Sequence, residues 1–338
     1  MTAATATRTA ARVQRAVTFT ARETAQLLPC DAAEEPLGEL QVEGRTLVSL
    51  ISSGTELSWG YAPPAATNRP YPQLSGYAAI FEIEHTGSGV TGLKPGDRVF
   101  CSGNHRSWQR HQAADVVLVP AGLAPERAVF CRLMGIGMAA LTTTTARPPS
   151  IVVVSGLGLV GHLAAKVFHG CGYQVIACDP VAARRQSLDR VGIRTASTAP
   201  LDDATVAGKA DLVIDCSGHE RSVLDACKMV RRRGEVVLAG TPWSKKTDIS
   251  AFDLMTEIFH RFAVVRSGWE WEVPVHPTDF RPNSHLGNYA AGMRWIAEGR
   301  VDVEGLANLV SPDTAQQAYQ DLMHQRTPTL STIFDWRG

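Results

Sequence analysis

The chain has 338 residues and a mass of 36.4 kDa, with 44% hydrophobic, 20% charged and 7% aromatic side chains. At roughly 150 residues per domain this length predicts two domains with ample sequence for two cores. Lys plus Arg is 33 and Asp plus Glu is 33, so the chain lacks the basic excess that nucleic acid or an anionic membrane surface calls for, and no apolar run nears the roughly 20 residues of a membrane span.

Residues 1–15 read as a short disordered extension. Arg8, Arg12, Arg15 and Arg22 occur with no acidic residue before Glu23, a composition also seen in transit peptides. From Ala16 to about Gly122, short strand-like segments alternate with Gly/Pro turns: 15–20, 44–52, 77–87, 97–103 and 114–122. LKPGDRV (93–99) sets a tight turn before a strand. Helical spacing over 125–146 then opens an alternation of apolar strands and helices. Strands are expected at 151–155, 173–179, 211–218, 234–240 and 261–268, which predicts a parallel sheet covered on both faces. Helices at 288–299 and 314–324 precede a closing strand, LSTIFDW (330–336), expected to return to the first domain. The fold class is therefore α/β, with a β-rich barrel-like domain from 16–130 and 272–338 and a doubly wound domain from 131–271. The seven cysteines, at 30, 101, 131, 171, 178, 216 and 227, form no CxxC, and no secretory signal is seen, so a reducing cytoplasm is the expected location.

The strongest motif is Gly156-Leu157-Gly158-Leu159-Val160-Gly161, placed between the strand IVVVS and a helix. The first Gly makes the turn, the second admits the pyrophosphate, and the third packs helix on strand, with phosphates at the helix N-terminus. A second strand ends at Asp179, 23 residues after Gly156, where a carboxylate accepts from ribose hydroxyls and repels a 2′-phosphate. NAD is thus expected over NADP. Arg184 is placed to stack on the adenine, and Ser217, Gly218, Ala239 and Gly240, at two later strand ends, would line the nicotinamide side.

These features, with ISSGTE (51–56), GYAAIFEIEHTGSGVTGLKPGDRV (76–99) and DCSGHERSVLDACKMVRRRGEVVLAG (215–240), resemble the medium-chain dehydrogenase/reductase family. The resemblance runs from about Ala16 to the end and implies a GroES-like barrel domain, a Rossmann domain and a homodimer paired through the edge strand near 261–266. SSGTE and IFDW look most like the branch that includes bacteriochlorophyllide a dehydrogenase. The chain departs from the family's catalytic zinc set. Its ligand positions hold Ser53, Tyr77 and Cys131, the last 25 residues before Gly156, and a hydroxyl, a phenol and one thiol are not a zinc site. No metal is expected.

Proton transfer then falls to protein groups. Thr55 matches the family's proton-relay hydroxyl, and Tyr77 stands at the histidine-ligand position. Glu56 matches an acidic residue that orients that ligand and is expected to hydrogen-bond Tyr77; Ser53 is a further donor. His105, a further candidate catalytic residue, Asn104 and Trp108 follow a strand where family members line the substrate pocket. Trp59 and Tyr61, in a proline-rich loop, and Trp269 and Trp271, after the last Rossmann strand, suggest a flat or ring-shaped substrate. The expected function is a zinc-independent, NAD(H)-dependent oxidoreductase acting on a secondary alcohol or ketone of a cyclic small molecule. Two alternatives are a C=C reductase of the enoyl or quinone type and a catalytically silent nucleotide-binding protein.

Overall fold

The computed structural model describes residues 13–31, 35–64, 67 and 69–338. Most of the expected extension, residues 1–12, lies outside the described residues, but Gln14 and Arg15 already belong to the first strand. The first part of the chain carries β1 (Gln14–Ala21), β2 (Thr24–Cys30), β3 (Gln41–Leu50), a single helical turn α1 (Ser53–Glu56), β4 (Gln73–Leu74), β5 (Ala79–Thr86), β6 (Arg98–Cys101), β7 (Trp108–Gln112) and β8 (Val117–Leu118). Next come α2 (Pro125–Ala128), α3 (Cys131–Thr143), β9 (Ile151–Ser155), α4 (Leu159–Gly170), β10 (Gln174–Cys178), α5 (Ala182–Asp189), β11 (Arg194–Ala196), β12 (Ala210–Asp215), α6 (Glu220–Met229), β13 (Val230–Leu238), α7 (Ala251–Arg261) and β14 (Val264–Ser267). The chain closes with α8 (His285–Ala297), β15 (Ala307–Val310), α9 (Ala315–Met323) and β16 (Ser331–Asp335).

The middle segment forms a six-stranded sheet in the order β11-β10-β9-β12-β13-β14, with every pairing parallel. Its central strands are buried on both faces. Val152, Val153 and Val154 are all 0% exposed, as are Leu212, Val213 and Ile214, which is why they read as continuous apolar runs rather than alternating ones. The N-terminal strands form a seven-stranded sheet, β15-β16-β3-β5-β6-β8 with β7 also on β3, and a three-stranded sheet, β2-β1-β4. The closing strand does return to this part, pairing antiparallel with β3. Among the described residues, no helix is long and apolar enough to cross a membrane.

The elements differ from expectation in several places. The helix read over 125–146 divides into α2 and α3; Pro125 starts the first, its missing N–H being harmless there. The strand read from Arg261 begins only at Val264, because Arg261 still belongs to α7 and Phe262 caps that helix in the left-handed region at φ 52. The sixth strand, β11, is three residues of mixed polarity at a sheet edge and leaves no periodic trace. At the opposite edge, β14 has one partner only, and α7 beside it exposes Phe252, Met255 and Phe259 at 70%, 60% and 76%.

Behind the glycine loop, His162 of α4 is buried, with Nδ1 facing the Leu157 carbonyl at 3.3 Å and Nε2 against Ser187 Oγ. Burial, then the nearby Lys166 charge, pushes its pKa down to about 4. The unfolded chain protonates this ring near its ordinary value of about 6.5, so stability is full above that pH and falls as pH drops toward 4. From pH 6.5 to pH 5 the loss is expected to be about 2 kcal/mol. In urea melts, His162→Gln should flatten that slope; His111, also pushed to about 4 by burial, leaves a residual one.

Candidate active site

The glycine loop has the geometry its spacing implies. Gly156 ends β9 at φ +86, and a Cβ there would lie 2.8 Å from Ser217 N; one on Gly161 would lie 1.9 Å from the Gly156 carbonyl. A Cβ on Gly158 would meet nothing within 4 Å, so open space lies at the N-cap of α4, with Leu159 and Val160 in its first turn. That is the cradle a pyrophosphate needs. Asp179 is buried at the end of β10. It accepts from the backbone N–H of Leu157 and of Val181, each at 2.8 Å, and Arg184 lies 3.4 Å away. Arg184 is thus paired to the carboxylate, and Asp179 already braces the loop. Asp215 does the same for the two later strand ends. Its carboxylate accepts from Ser217 and from Gly218 N–H, and its carbonyl from Ala239 and Gly240 N–H. The residues present fit a dinucleotide.

The SSGTE segment follows β3 directly, and its glutamate is buried. Glu56 accepts from Ser52 N–H at 2.7 Å, from Tyr319 Oη at 2.5 Å and lies 3.1 Å from His105 Nε2. Contrary to the expectation from sequence, Glu56 therefore does not hydrogen-bond Tyr77; its oxygens are taken by its own turn, by α9 and by the loop after β6. His105, expected in a pocket wall, is instead 0% exposed, packed edge-on against Phe334 at 5.0 Å. Gly76, at φ +82, abuts the same ring: a Cβ would fall 2.5 Å from it. His105 positions Glu56 rather than facing substrate.

Tyr77 is half-buried. Burial raises its phenol pKa on balance, although Arg132 and the hydroxyls of Ser52 and Thr55 pull the other way. Ser53, expected as a donor, begins α1; the hydroxyl that bears on the Tyr77 phenol is that of Ser52 before it, which lowers the phenol pKa. The Arg132 guanidinium carbon is 4.7 Å from the Tyr77 ring centroid and 5.6 Å from that of Tyr289. It is held by Glu270 through two bonds of 2.6 Å, both side chains being more than nine-tenths buried. Burial opposes the Arg132 charge, but the Glu270 carboxylate more than offsets this and raises its pKa. Glu270 lies between Trp269 and Trp271, and Gly268 before them packs on Ala239. The motif cluster and the strand ends of the parallel sheet thus meet through consecutive contacts.

The residues present do not fit the zinc ion that the family resemblance implies. Ser53, Tyr77 and Cys131 stand at the ligand positions, burial pushes the Cys131 thiol far above its ordinary value, and a fixed cation is its neighbour. Among the described residues no group of three or more His, Cys, Asp or Glu is placed to hold a metal.

The aromatic candidates separate. Trp59 meets Trp243, from the segment after β13, edge-on at 5.7 Å, and Trp269 and Trp271 are 68% and 59% exposed. Tyr61 is not a pocket residue: it is 0% exposed, stacked on Tyr319 at 5.1 Å, and its hydroxyl accepts from Gln316 and Gln320. Trp108 is not in the cleft either. On β7 it lines a surface groove with Arg45 and Trp336. Asn104 donates to the Gly76 carbonyl at 2.8 Å and so steadies the turn before Tyr77. His276 Nε2 lies 3.0 Å from Asp115, and His285 Nε2 lies 2.7 Å from the Glu270 carbonyl. Ser52, Arg132, Glu270 and Tyr319 escaped sequence reasoning; the one available signal was a charged residue directly after Cys131 inside an apolar helical run.

Residues 157–272 match the zinc-binding dehydrogenase family. The chain is 24% identical to a putative D-xylulose reductase of Agrobacterium fabrum over 71% of its own length and 75% of that protein's. It is 28% identical to an alcohol dehydrogenase of Geobacillus stearothermophilus over 54% of its length and 65% of that protein's. Its fold is similar to that of galactitol-1-phosphate dehydrogenase from Escherichia coli, with a TM-score of 0.78, 17% identity, and 95% of this chain and 99% of that chain covered. Residues 157–272 are therefore similar to the zinc-binding dehydrogenase family, and the chain as a whole shares its fold with galactitol-1-phosphate dehydrogenase.

Proposed function

We propose that this alcohol-dehydrogenase-type oxidoreductase is zinc-independent, uses NAD(H), and interconverts a secondary alcohol and its ketone on a ring-bearing small molecule. The observation that carries the reading is the Tyr77 ring, standing where the family resemblance places a metal ligand, with the Arg132 guanidinium 4.7 Å from its centroid. The bound dinucleotide supplies or accepts the hydride. The loop Gly156–Gly161 and the α4 N-terminus hold its phosphates, and Asp179 accepts from ribose hydroxyls, which favours NAD. Thr55 and Tyr77 orient the substrate oxygen and exchange its proton. Trp59, Trp243, Trp269 and Trp271 offer flat apolar faces, and the likeness of SSGTE and IFDW to the bacteriochlorophyllide a dehydrogenase branch also supports a cyclic substrate.

A homodimer is part of the proposal. The open edge of β14 and the exposed Phe252, Met255 and Phe259 of α7 form an unpaired strand beside an apolar face, which a second copy would cover. The seven unpaired cysteines support a reducing compartment such as the cytoplasm.

Tyr77→Phe should cut turnover by about 10²-fold with NADH affinity unchanged; absorbance at 340 nm with a panel of cyclic secondary alcohols reads it, and undiminished turnover removes Tyr77 from the chemistry. Asp179→Asn keeps an acceptor for Leu157 N–H but removes the charge, so the preference for NADH over NADPH, read by fluorescence titration, should shrink toward unity. Native mass spectrometry of protein purified without chelator should give two chains and well under one zinc per chain. Stoichiometric zinc would overturn the metal-free reading, and a monomer the dimer.

A further inference from the structure

We propose that Arg132, clamped by Glu270 over the face of Tyr77, is the fixed positive charge of this active site and acts through the Tyr77 oxygen. The inference rests on Tyr77 being the proton-transfer group. Its basis is the geometry. The two bonds of 2.6 Å to Glu270 take one edge of the guanidinium and hold its plane against rotation, since a forked pair fixes orientation as well as distance. The flat cation is thereby kept 4.7 Å from the Tyr77 ring centroid. Its Nε–H has no partner among the described residues, although Arg132 is only 7% exposed.

An arginine at this depth carries a desolvation cost that a hydrophobic residue in the same place would not. The neighbouring residues show what its charge acts on. The groups facing Tyr77 are Arg132 from α3, Glu56 with Ser52 and Thr55 at α1, and Tyr289 from α8 beyond Arg132. Of these Arg132 is the one cation. In the reducing direction the Tyr77 hydroxyl proton passes to the carbonyl oxygen, the O–H electron pair stays on Tyr77 Oη, and the ring becomes negative. A guanidinium already fixed over its face attracts that ring more strongly than the neutral phenol, and it needs no reorganisation to do so. In the oxidising direction the Tyr77 proton is first lost to solvent, at a cost that burial raises and Arg132 lowers, and the phenolate oxygen then takes the alcohol proton. Arg132 is thus a positioning residue with an electrostatic effect, and it stands where zinc does not fit.

The test replaces tyrosine 77 by 2,3,5-trifluorotyrosine, whose phenol titrates in the neutral range, and follows its ionisation optically in otherwise unaltered full-length protein. Glu270→Gln leaves Arg132 uncompensated and should lower the midpoint; Arg132→Gln should raise it by about 1 to 3 pH units. A merely structural pair would move both variants in the same direction. Should either single variant fail to fold, Arg132→Met combined with Glu270→Leu exchanges the buried pair for apolar volume, a change that buried pairs often tolerate, and its midpoint should lie above that of the parent. Equal midpoints in the parent and this double variant, or shifts of one sign in the two single variants, overturn the proposal. The titration needs no substrate. If Tyr77→Phe leaves turnover intact while the midpoints shift as expected, the proton-transfer reading has failed but the electrostatic coupling stands.

Discussion

One buried carboxylate organises the site. Glu56 is 4% exposed, and its two oxygens gather Ser52 N–H from its own turn, Tyr319 from α9 and His105 from the loop after β6. Those three stretches lie far apart in the chain, and each packs on β16 or beside it: His105 and Tyr319 both contact Phe334. A carboxylate this deep is tolerable because donors surround it, and removing one donor would expose the full cost of desolvation, about 1–3 kcal/mol and more for a charged group. The position of Thr55, and through Ser52 the surroundings of Tyr77, depend on this knot. Burial, then the Glu56 charge, pushes the Tyr319 phenol well above its ordinary value, so Tyr319 serves as a lasting donor.

The cofactor half is braced by the same means. Asp179 and Asp215 both lie at C-terminal ends of parallel strands and turn their carboxylates onto backbone N–H groups of the adjoining loops. The glycines are needed because backbone passes close to backbone: Gly240 and Gly218 approach so tightly that a Cβ on Gly240 would lie 2.4 Å from Gly218 N. Acidic strand ends thus hold glycine turns in place, leaving the N-terminus of α4 free for an anion.

Much of the fold was legible because it rests on periodicity. Buried parallel strands such as 151–155 are uninterrupted apolar runs, and GLGLVG between strand and helix has few other readings. The site was harder, because its key pairings join residues distant in sequence: Glu56 with Tyr319, Arg132 with Glu270. Nothing local in WEWE distinguishes its first glutamate from a solvated one. Tyr61 misled for the opposite reason. A tyrosine beside tryptophan and prolines suggests a loop over a pocket, yet the π-helical turn at Leu57–Tyr61 carries it inward onto Tyr319. His105 likewise looked like a loop histidine, and only the tertiary contact with Gly76 shows why no larger residue precedes Tyr77.

The contact between Trp59 and Trp243 differs in kind from the other links at the site. Two indole rings meeting edge-on at 5.7 Å have no hydrogen bond between them, and such a pair contributes about 0.5–1.5 kcal/mol beyond its buried area. That is one to three times thermal energy, a weak link taken by itself. Arg132 and Glu270, by contrast, make a desolvated fork that resists bending. On the proposed reading of the site, the link at Trp59 and Trp243 is therefore the softer one and the fork at Arg132 the stiffer: a bulky guest would displace the indoles before it disturbed the phenol.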